Sequence, residues 1–160
     1  MATYLWTGTS SADWKTGGNW SGGVVPGSGD TVIFNTGSQT ITGTSITGVA
    51  EIKVLEGFQG SLGTSSTPLA ASATDLYVAT EFGKVNLDGT YTTAHISKTK
   101  ASTDAIVFGS SSVITTLRVT GGKGKIQVSS STITNVELTG SPFAEIEILA
   151  AAGNFASLLM

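Results

Sequence analysis

The chain has 160 residues, a formal net charge of −3, 21 glycines, three prolines and no cysteine. This length predicts one domain with a sizeable core, and the missing cysteines exclude a disulfide framework and a thiolate metal site. Only 12% of the residues are charged, without clusters of Lys or Arg, which argues against nucleic acid as a partner. No apolar run is long enough to cross a membrane.

Residues 1–45 are rich in turn-forming dipeptides and hold all three tryptophans, Trp6, Trp14 and Trp20. Within this segment Asp13 and Asn19 are placed to close turns through their side chains. The segment ends in an apolar run that predicts a strand from Thr31 to Phe34.

Residues 46–160 carry two short apolar patterns that recur about every twenty residues. The first ladder of apolar positions is Ile52 and Val54, Leu76 and Val78, Ala94 and Ile96, Leu117 and Val119, Val136 and Leu138, with Phe155 and Ser157 as a frayed last copy. The second ladder is Val85 and Leu87, Ile106 and Phe108, Ile126 and Val128, Ile146 and Ile148. Its copies are spaced by 21, 20 and 20 residues.

This period predicts a solenoid. Alternate side chains of a strand point to opposite faces, so each segment turns two apolar groups inward and one polar group outward. Stacked copies bury a continuous apolar column and pair their backbones with the turns above and below. The predicted fold is all-β: a parallel β-helix of about six coils over 46–160, right-handed by the usual crossover preference. A jelly roll or β-sandwich shares the two-residue period and stays open as an alternative.

The tryptophans of residues 1–45 predict a cap that forms one domain with the solenoid. An open solenoid end exposes unpaired strand edges and the ends of its apolar columns, and bulky aromatic side chains would cover them. Two other interpretations stay open. Trp faces also stack on sugar rings, and the segment could attach the chain to another protein.

The outward positions of the first ladder form a stripe of mixed charge: Lys53, Tyr77, His95, Arg118 and Glu137. We expect a solvated surface in which neighbouring Arg118 and Glu137 pair. His95 is the sole histidine and has no predicted partner for general-base or metal chemistry. Since no catalytic motif or carboxylate cluster is present either, we expect no enzyme activity, no catalytic residue, no metal and no cofactor.

The outward positions of the second ladder form a nearly uncharged stripe: Asn86, Val107, Gln127 and Glu147. This composition favours contact with another subunit over the first stripe. Short solenoids gain from side-by-side packing with closed symmetry, so we predict a homotrimer with this stripe at its axis.

The N-terminal segment resembles the opening of two kinds of β-helical protein. The shared residues are Trp6, Asp13-Trp14, Asn19-Trp20-Ser21, Pro26 and the run from Asp30 to Phe34. The chain is similar here to passenger-type β-helical surface proteins of bacteria and to short β-helical virion proteins of tailed phages. The resemblance implies a right-handed parallel β-helix used for adhesion or for building a particle. Because the N-terminus shows no secretory signal pattern, and neither a long passenger nor a membrane-barrel domain follows, the phage proteins are the nearer likeness.

These observations predict a non-enzymatic virion protein made in the host cytoplasm, most specifically a capsid decoration or cement protein that binds the major capsid protein or another virion protein. One alternative is a tail-fibre or adhesin module that binds surface glycan through Trp14, Trp20, Tyr77 or Tyr91. Another is a polysaccharide-degrading enzyme, which would need carboxylates that converge on one face.

Overall fold

The computed structural model describes residues 1–43, 45–103, 105–129, 132–139, 146–148 and 157–159. Apart from a short 3-10 helix at Gly17–Asn19, the regular elements in these ranges are strands. They are β1 (Thr3–Leu5), β2 (Thr31–Phe34), β3 (Thr40–Ile41), β4 (Ile46–Val54), β5 (Ser61–Leu62), β6 (Leu69–Ala79), β7 (Lys84–Asp88), β8 (Thr90–Lys98), β9 (Ile106–Phe108), β10 (Val113–Val119), β11 (Ile126–Val128), β12 (Thr132–Leu138), β13 (Ile146–Ile148) and β14 (Ser157–Leu159). The strand predicted from Thr31 to Phe34 is confirmed as β2.

The strands stack in parallel along two faces of a solenoid, as predicted. The first sheet has the order β1, β2, β4, β6, β8, β10, β12, β14. The second sheet has the order β3, β5, β7, β9, β11, β13. The chain thus alternates between the two sheets as it winds. The six passes through the second sheet enclose about five turns, close to the predicted six coils.

The registers confirm both apolar ladders. Along the first sheet Ile52, Leu76, Ala94, Leu117 and Val136 are successive partners. Along the second sheet the partners are Val85, Ile106, Ile126 and Ile146. Equivalent positions of successive turns therefore lie directly over one another, which excludes the antiparallel sandwich and jelly-roll alternatives.

The last copy of the first ladder is predicted wrongly. The expected pair was Phe155 and Ser157, but Ser157 is the partner of Asn135, and Leu158 stands opposite Val136. Phe155 itself lies outside the described residues. The observed register is therefore shifted by three residues from the predicted one, which placed Phe155 opposite Val136.

A single apolar core fills the space between the sheets. It runs from Trp6 to Val136, and its aliphatic members expose almost none of their surface; Ile52, Leu117 and Ile126 are each 0% exposed. Each such side chain stabilises the fold by roughly 1.5–3 kcal/mol. The stacked arrangement is what makes this burial possible, since an isolated turn has no second layer to cover it.

The second sheet is interrupted between β5 and β6. Leu62 pairs with Val85, residues 63–68 leave the sheet, and Leu69 rejoins it opposite Leu87. This insertion folds back on itself through reciprocal backbone hydrogen bonds between Thr64 and Thr67. It leaves Asn86, the residue between the two pairing positions, facing the inserted loop.

The N-terminal segment closes the first end of the solenoid. On the side of β1 away from β2, the backbone amide of Leu5 donates to Ser21 Oγ at 2.8 Å, and the amide of Ser21 donates back to the Leu5 carbonyl at 2.9 Å. These bonds occupy part of an edge that would otherwise be open to pairing with another chain.

Candidate functional site

The tryptophans of the N-terminal segment are buried in an aromatic cluster. The ring centroids of Trp6 and Trp20 lie 5.2 Å apart, edge to face, and Phe34 lies 5.5 Å from Trp20. Phe58 of the next turn continues the cluster, 5.7 Å from Phe34. Trp14 is buried as well, at 1% exposed. The cluster thus covers the end of the apolar columns, as the predicted cap requires.

A buried asparagine organises the loop that carries these rings. Asn19 is 0% exposed, and its Oδ1 accepts hydrogen bonds from the amides of Ser10 and Ser11 at 2.8 and 2.9 Å. Its Nδ2 donates to Ser11 Oγ and to the Asp13 carbonyl at 2.9 and 2.8 Å. Asp13 in turn accepts from the Lys15 amide at 2.9 Å. Asp13 thus closes a turn through its side chain, as the sequence predicted, whereas Asn19 braces the loop by bonding residues well before it in the chain.

Because these rings are buried, most of the aromatic residues that were predicted to stack on a sugar cannot do so. Trp6, Trp14 and Trp20 expose 2% or less, so none offers a face for stacking. Tyr91 is also buried, and burial, followed by the charge of Asp88, raises the pKa of its hydroxyl. Of the aromatic residues proposed for a glycan groove, Tyr77 alone is partly exposed.

The first outward stripe is confirmed residue by residue. Lys53, Tyr77, His95, Arg118 and Glu137 are successive partners on β4, β6, β8, β10 and β12. Arg118 Nε lies 2.7 Å from Glu137 Oε2, so the predicted ion pair forms. Since both side chains are substantially exposed, this pair contributes about 0–1 kcal/mol.

Two aromatic rings of this stripe meet at its centre. The rings of Tyr77 and His95 pack edge to face, with centroids 5.2 Å apart. His95 Nε2 lies 3.1 Å from Thr120 Oγ1, and Ser97 Oγ donates to the Tyr77 hydroxyl at 3.2 Å. Partial burial, followed by the charge of Arg118, lowers the pKa of His95. The neutral imidazole is therefore favoured at neutral pH.

A cavity of about 240 Å³ opens beside this pair, where the first sheet turns the corner. Its lining residues are Glu81, Ser97, Lys98, Thr120, Gly121, Gly122 and Lys123. Lys98 pairs with Glu56, and Lys123 lies 3.4 Å from Glu81. The cavity thus combines hydroxyl groups with cations that are already matched by carboxylates.

Sequence reasoning missed this cavity. The sequence by itself assigns no role to Ser97, to Thr120 or to the turn that follows it. Both lie just past the outward stripe, Ser97 two residues after His95 and Thr120 two residues after Arg118. The spacing was therefore visible, but only the stacking of the corners shows that the two hydroxyls share one cavity.

The second outward stripe is less open than its composition indicated. Asn86 and Val107 expose 1% and 5%, so they are already covered within the single chain and offer little surface to another subunit. Gln127 and Glu147 are partly exposed, and Gln127 Nε2 donates to Glu147 Oε2 at 3.0 Å.

Asn86 is the buried polar member of this stripe. Its Nδ2 donates to Ser61 Oγ at 3.1 Å and to the Gly63 carbonyl at 3.4 Å, which ties the inserted loop to the sheet. Its Oδ1 has no hydrogen-bond partner among the described residues. The sequence predicted an outward contact residue here, but the insertion at 63–68 turns it into an internal anchor.

Within the described ranges, no three His, Cys, Asp or Glu side chains lie close enough together to hold a metal ion. Nor does any helix there have the length and apolar character needed to cross a membrane. Comparisons with protein-family models, curated proteins and solved structures return no match for this chain.

Proposed function

We propose that this protein is a non-enzymatic structural component of a phage virion, a decoration protein that binds the outside of the capsid and stabilises it. The resemblance of the Trp-rich segment to β-helical virion proteins suggests this function, and exposed apolar side chains in that segment support it.

The observation that carries the proposal is the exposure of two large apolar side chains in the N-terminal segment. Leu5 is 49% exposed on β1, and Val24, in the segment after the bond between Ser21 and Leu5, is 57% exposed. Leu5 and Ile33 are partners on the outer face and line a groove of about 260 Å³. We assign this end, defined by Leu5, Val24 and Ile33, as the attachment end that contacts the major capsid protein.

The construction of the rod suits this role. Its core is continuous and its strands pair in register from turn to turn, so little conformational entropy is lost when one end docks. A small apolar end forms a weak contact by itself. Repetition over a symmetric shell multiplies many weak contacts into stable decoration.

Binding to capsids tests the proposal directly. Purified protein is mixed with capsids assembled without it, and the particles are imaged by electron cryomicroscopy. We expect added density at lattice symmetry positions, with the Trp-capped end toward the shell. Absence of added density at saturating protein would refute the function.

Matched charge variants test the attachment end. Leu5→Glu places a charge in the proposed contact and should lower capsid occupancy about tenfold or more. Val113→Glu is the control, because Val113 is also an exposed aliphatic residue, 42% exposed, but lies on β10 away from the cap. Equal occupancy for the two variants would place the contact elsewhere.

We also propose that the protein assembles as a homotrimer, since closed symmetry multiplies the attachment ends. The contact would use the partly exposed Gln127 and Glu147, because Asn86 and Val107 are covered within each chain. Light scattering should give three times the chain mass of 16.2 kDa. A monomeric mass across the tested concentrations would exclude the trimer without excluding capsid binding.

A further inference from the structure

We propose that the corner of the first sheet carries a binding site for a neutral saccharide. Tyr77 and His95 form the aromatic wall of this site, and the sugar occupies the adjoining cavity. This site lies on the same outward stripe of the first sheet as Leu5 and Ile33, but further along it, since Ile33 is the partner of Lys53 and Lys53 is the partner of Tyr77. It does not require capsid binding and is tested separately from it.

The aromatic wall is prearranged. Tyr77 stands on β6 and His95 on β8, as register partners, and their edge-to-face packing fixes both rings. Both side chains are partly exposed. The negative face of an aromatic ring attracts the slightly positive C–H groups on one face of a pyranose, so an exposed ring on a rigid strand suits a sugar.

The hydroxyl groups beside the wall retain hydrogen-bonding capacity. The Tyr77 hydroxyl accepts from Ser97 Oγ and still has its own proton to donate. The hydroxyl protons of Ser97 and Thr120 are directed at protein acceptors, among them the carbonyls of Val78 and Ile96, so what these two cavity-lining groups offer a ligand is their remaining lone pairs. Sugar hydroxyls both donate and accept, so they can donate to Ser97 and Thr120 and accept from Tyr77.

The charges of the rim favour a neutral ligand over an anion. Lys98 and Lys123 face the cavity, but each is held by a carboxylate, Glu56 and Glu81 respectively. Arg118 on the adjoining stripe is likewise paired with Glu137. A phosphate or sulfate would have to compete with these carboxylates for every cation, whereas a neutral polyol would not.

The volume of the cavity limits the size of the saccharide that it can hold. A volume of about 240 Å³ is below the roughly 300–1,000 Å³ of pockets for drug-sized ligands. One monosaccharide unit, free or at the end of a glycan, fits this scale. The site is therefore suited to end-on recognition of a single residue and not to enclosing a chain.

The test is a chemical-shift titration of the isotope-labelled full chain with neutral methyl glycosides of glucose, galactose, mannose and N-acetylglucosamine, and separately with inorganic phosphate. At millimolar concentration at least one glycoside should shift the signals of His95 and of residues 120–123, and phosphate should not. If no glycoside shifts these signals, or if phosphate alone does, the proposal is wrong.

Two variants identify the groups involved. Thr120→Val removes one hydroxyl at nearly constant shape, and Tyr77→Leu removes the ring; each should weaken the responding glycoside about tenfold. Thr116→Val is the matched control, because Thr116 is a partly buried residue on the same strand face as Arg118, outside the cavity. Unchanged spectra away from the corner show that a variant is folded. Affinity unchanged in both folded variants, or lost equally in the control, would overturn the proposal.

Discussion

The hydroxyl of Tyr91 donates a hydrogen bond of 2.6 Å to the carbonyl oxygen of Ala71, which lies one turn earlier in the solenoid. Tyr91 is 0% exposed, and its ring packs against Phe108 with centroids 6.0 Å apart. A polar group inside the apolar column is thus satisfied by the backbone of the neighbouring turn. The bond joins two turns at the corner between the sheets.

Tyr91→Phe should destabilise the protein by about 1–3 kcal/mol, because it leaves the buried Ala71 carbonyl without its donor while the ring stays in place. Chemical denaturation measures the change. Tyr77→Phe is the control, since Tyr77 is a partly exposed residue whose hydroxyl bonds to a side chain, Ser97, and not to a buried backbone carbonyl. Equal losses of unfolding free energy in the two variants would show that the Tyr91 hydrogen bond contributes no more to stability than the Tyr77 hydrogen bond.

Gly89→Ala tests the packing of the same corner. A Cβ at Gly89 would stand 1.6 Å from the Ala71 carbonyl oxygen, which is a backbone atom of the stacked turn and cannot rotate away. We expect a loss of at least about 1–3 kcal/mol from this overlap. Gly27→Ala is the control, because its nearest neighbour would lie 4.0 Å away. A fully stable Gly89→Ala variant would contradict the close stacking.

Asn19→Ala should loosen the N-terminal cap. It leaves the amides of Ser10 and Ser11 without their acceptor, so we expect a loss of about 2–4 kcal/mol and a change in tryptophan fluorescence. Asn19→Asp keeps the acceptor but turns a carboxylate toward the Asp13 carbonyl, and should also destabilise. Ser38→Ala, at an exposed position, should do neither. A stable Asn19→Ala variant with unchanged fluorescence would show that the cap does not depend on this residue.

The stability of the protein should depend on pH through His95. The pKa of His95 is lowered in the fold, so as pH falls below about 6.5 the unfolded chain takes up the proton first. His95 therefore contributes full stability above that pH, and the contribution declines as pH falls toward the lower pKa of the folded state. Denaturation midpoints across this range should show the decline in the native chain and a smaller decline in His95→Gln. Equal declines would mean that other groups cause it.

The repeated architecture was predictable because it depends on period alone. The partner sets that contain Leu117 and Ile126 follow directly from a two-residue strand period repeated about every twenty residues. Each turn needs inward apolar residues to cover the turn before it, so the same pattern recurs in every repeat of the sequence. The last copy was predicted wrongly because Ser157 breaks the apolar pattern there, and the observed register places Leu158 opposite Val136.

The accessibility of individual outward residues was not predictable in this way. Val107 and Asn86 occupy outward positions and are nevertheless buried, and the unpaired insertion at 63–68 faces Asn86. Outward direction follows from strand alternation, but exposure depends on what loops from other turns cover.

The amino-acid sequence by itself determined the stacked parallel strands, the contents of the first apolar column as far as Leu138 and of the second as far as Ile148, and the pairing of Arg118 with Glu137. These features are repeats of local alternation, and alternation is a property of the backbone. Only the tertiary structure decided that the tryptophans are buried and that Ser97 and Thr120 meet in one cavity beside Tyr77 and His95. Such contacts join corners and loops from different turns. The paths of these segments depend on side-chain packing, and no periodic pattern in the sequence predicts them.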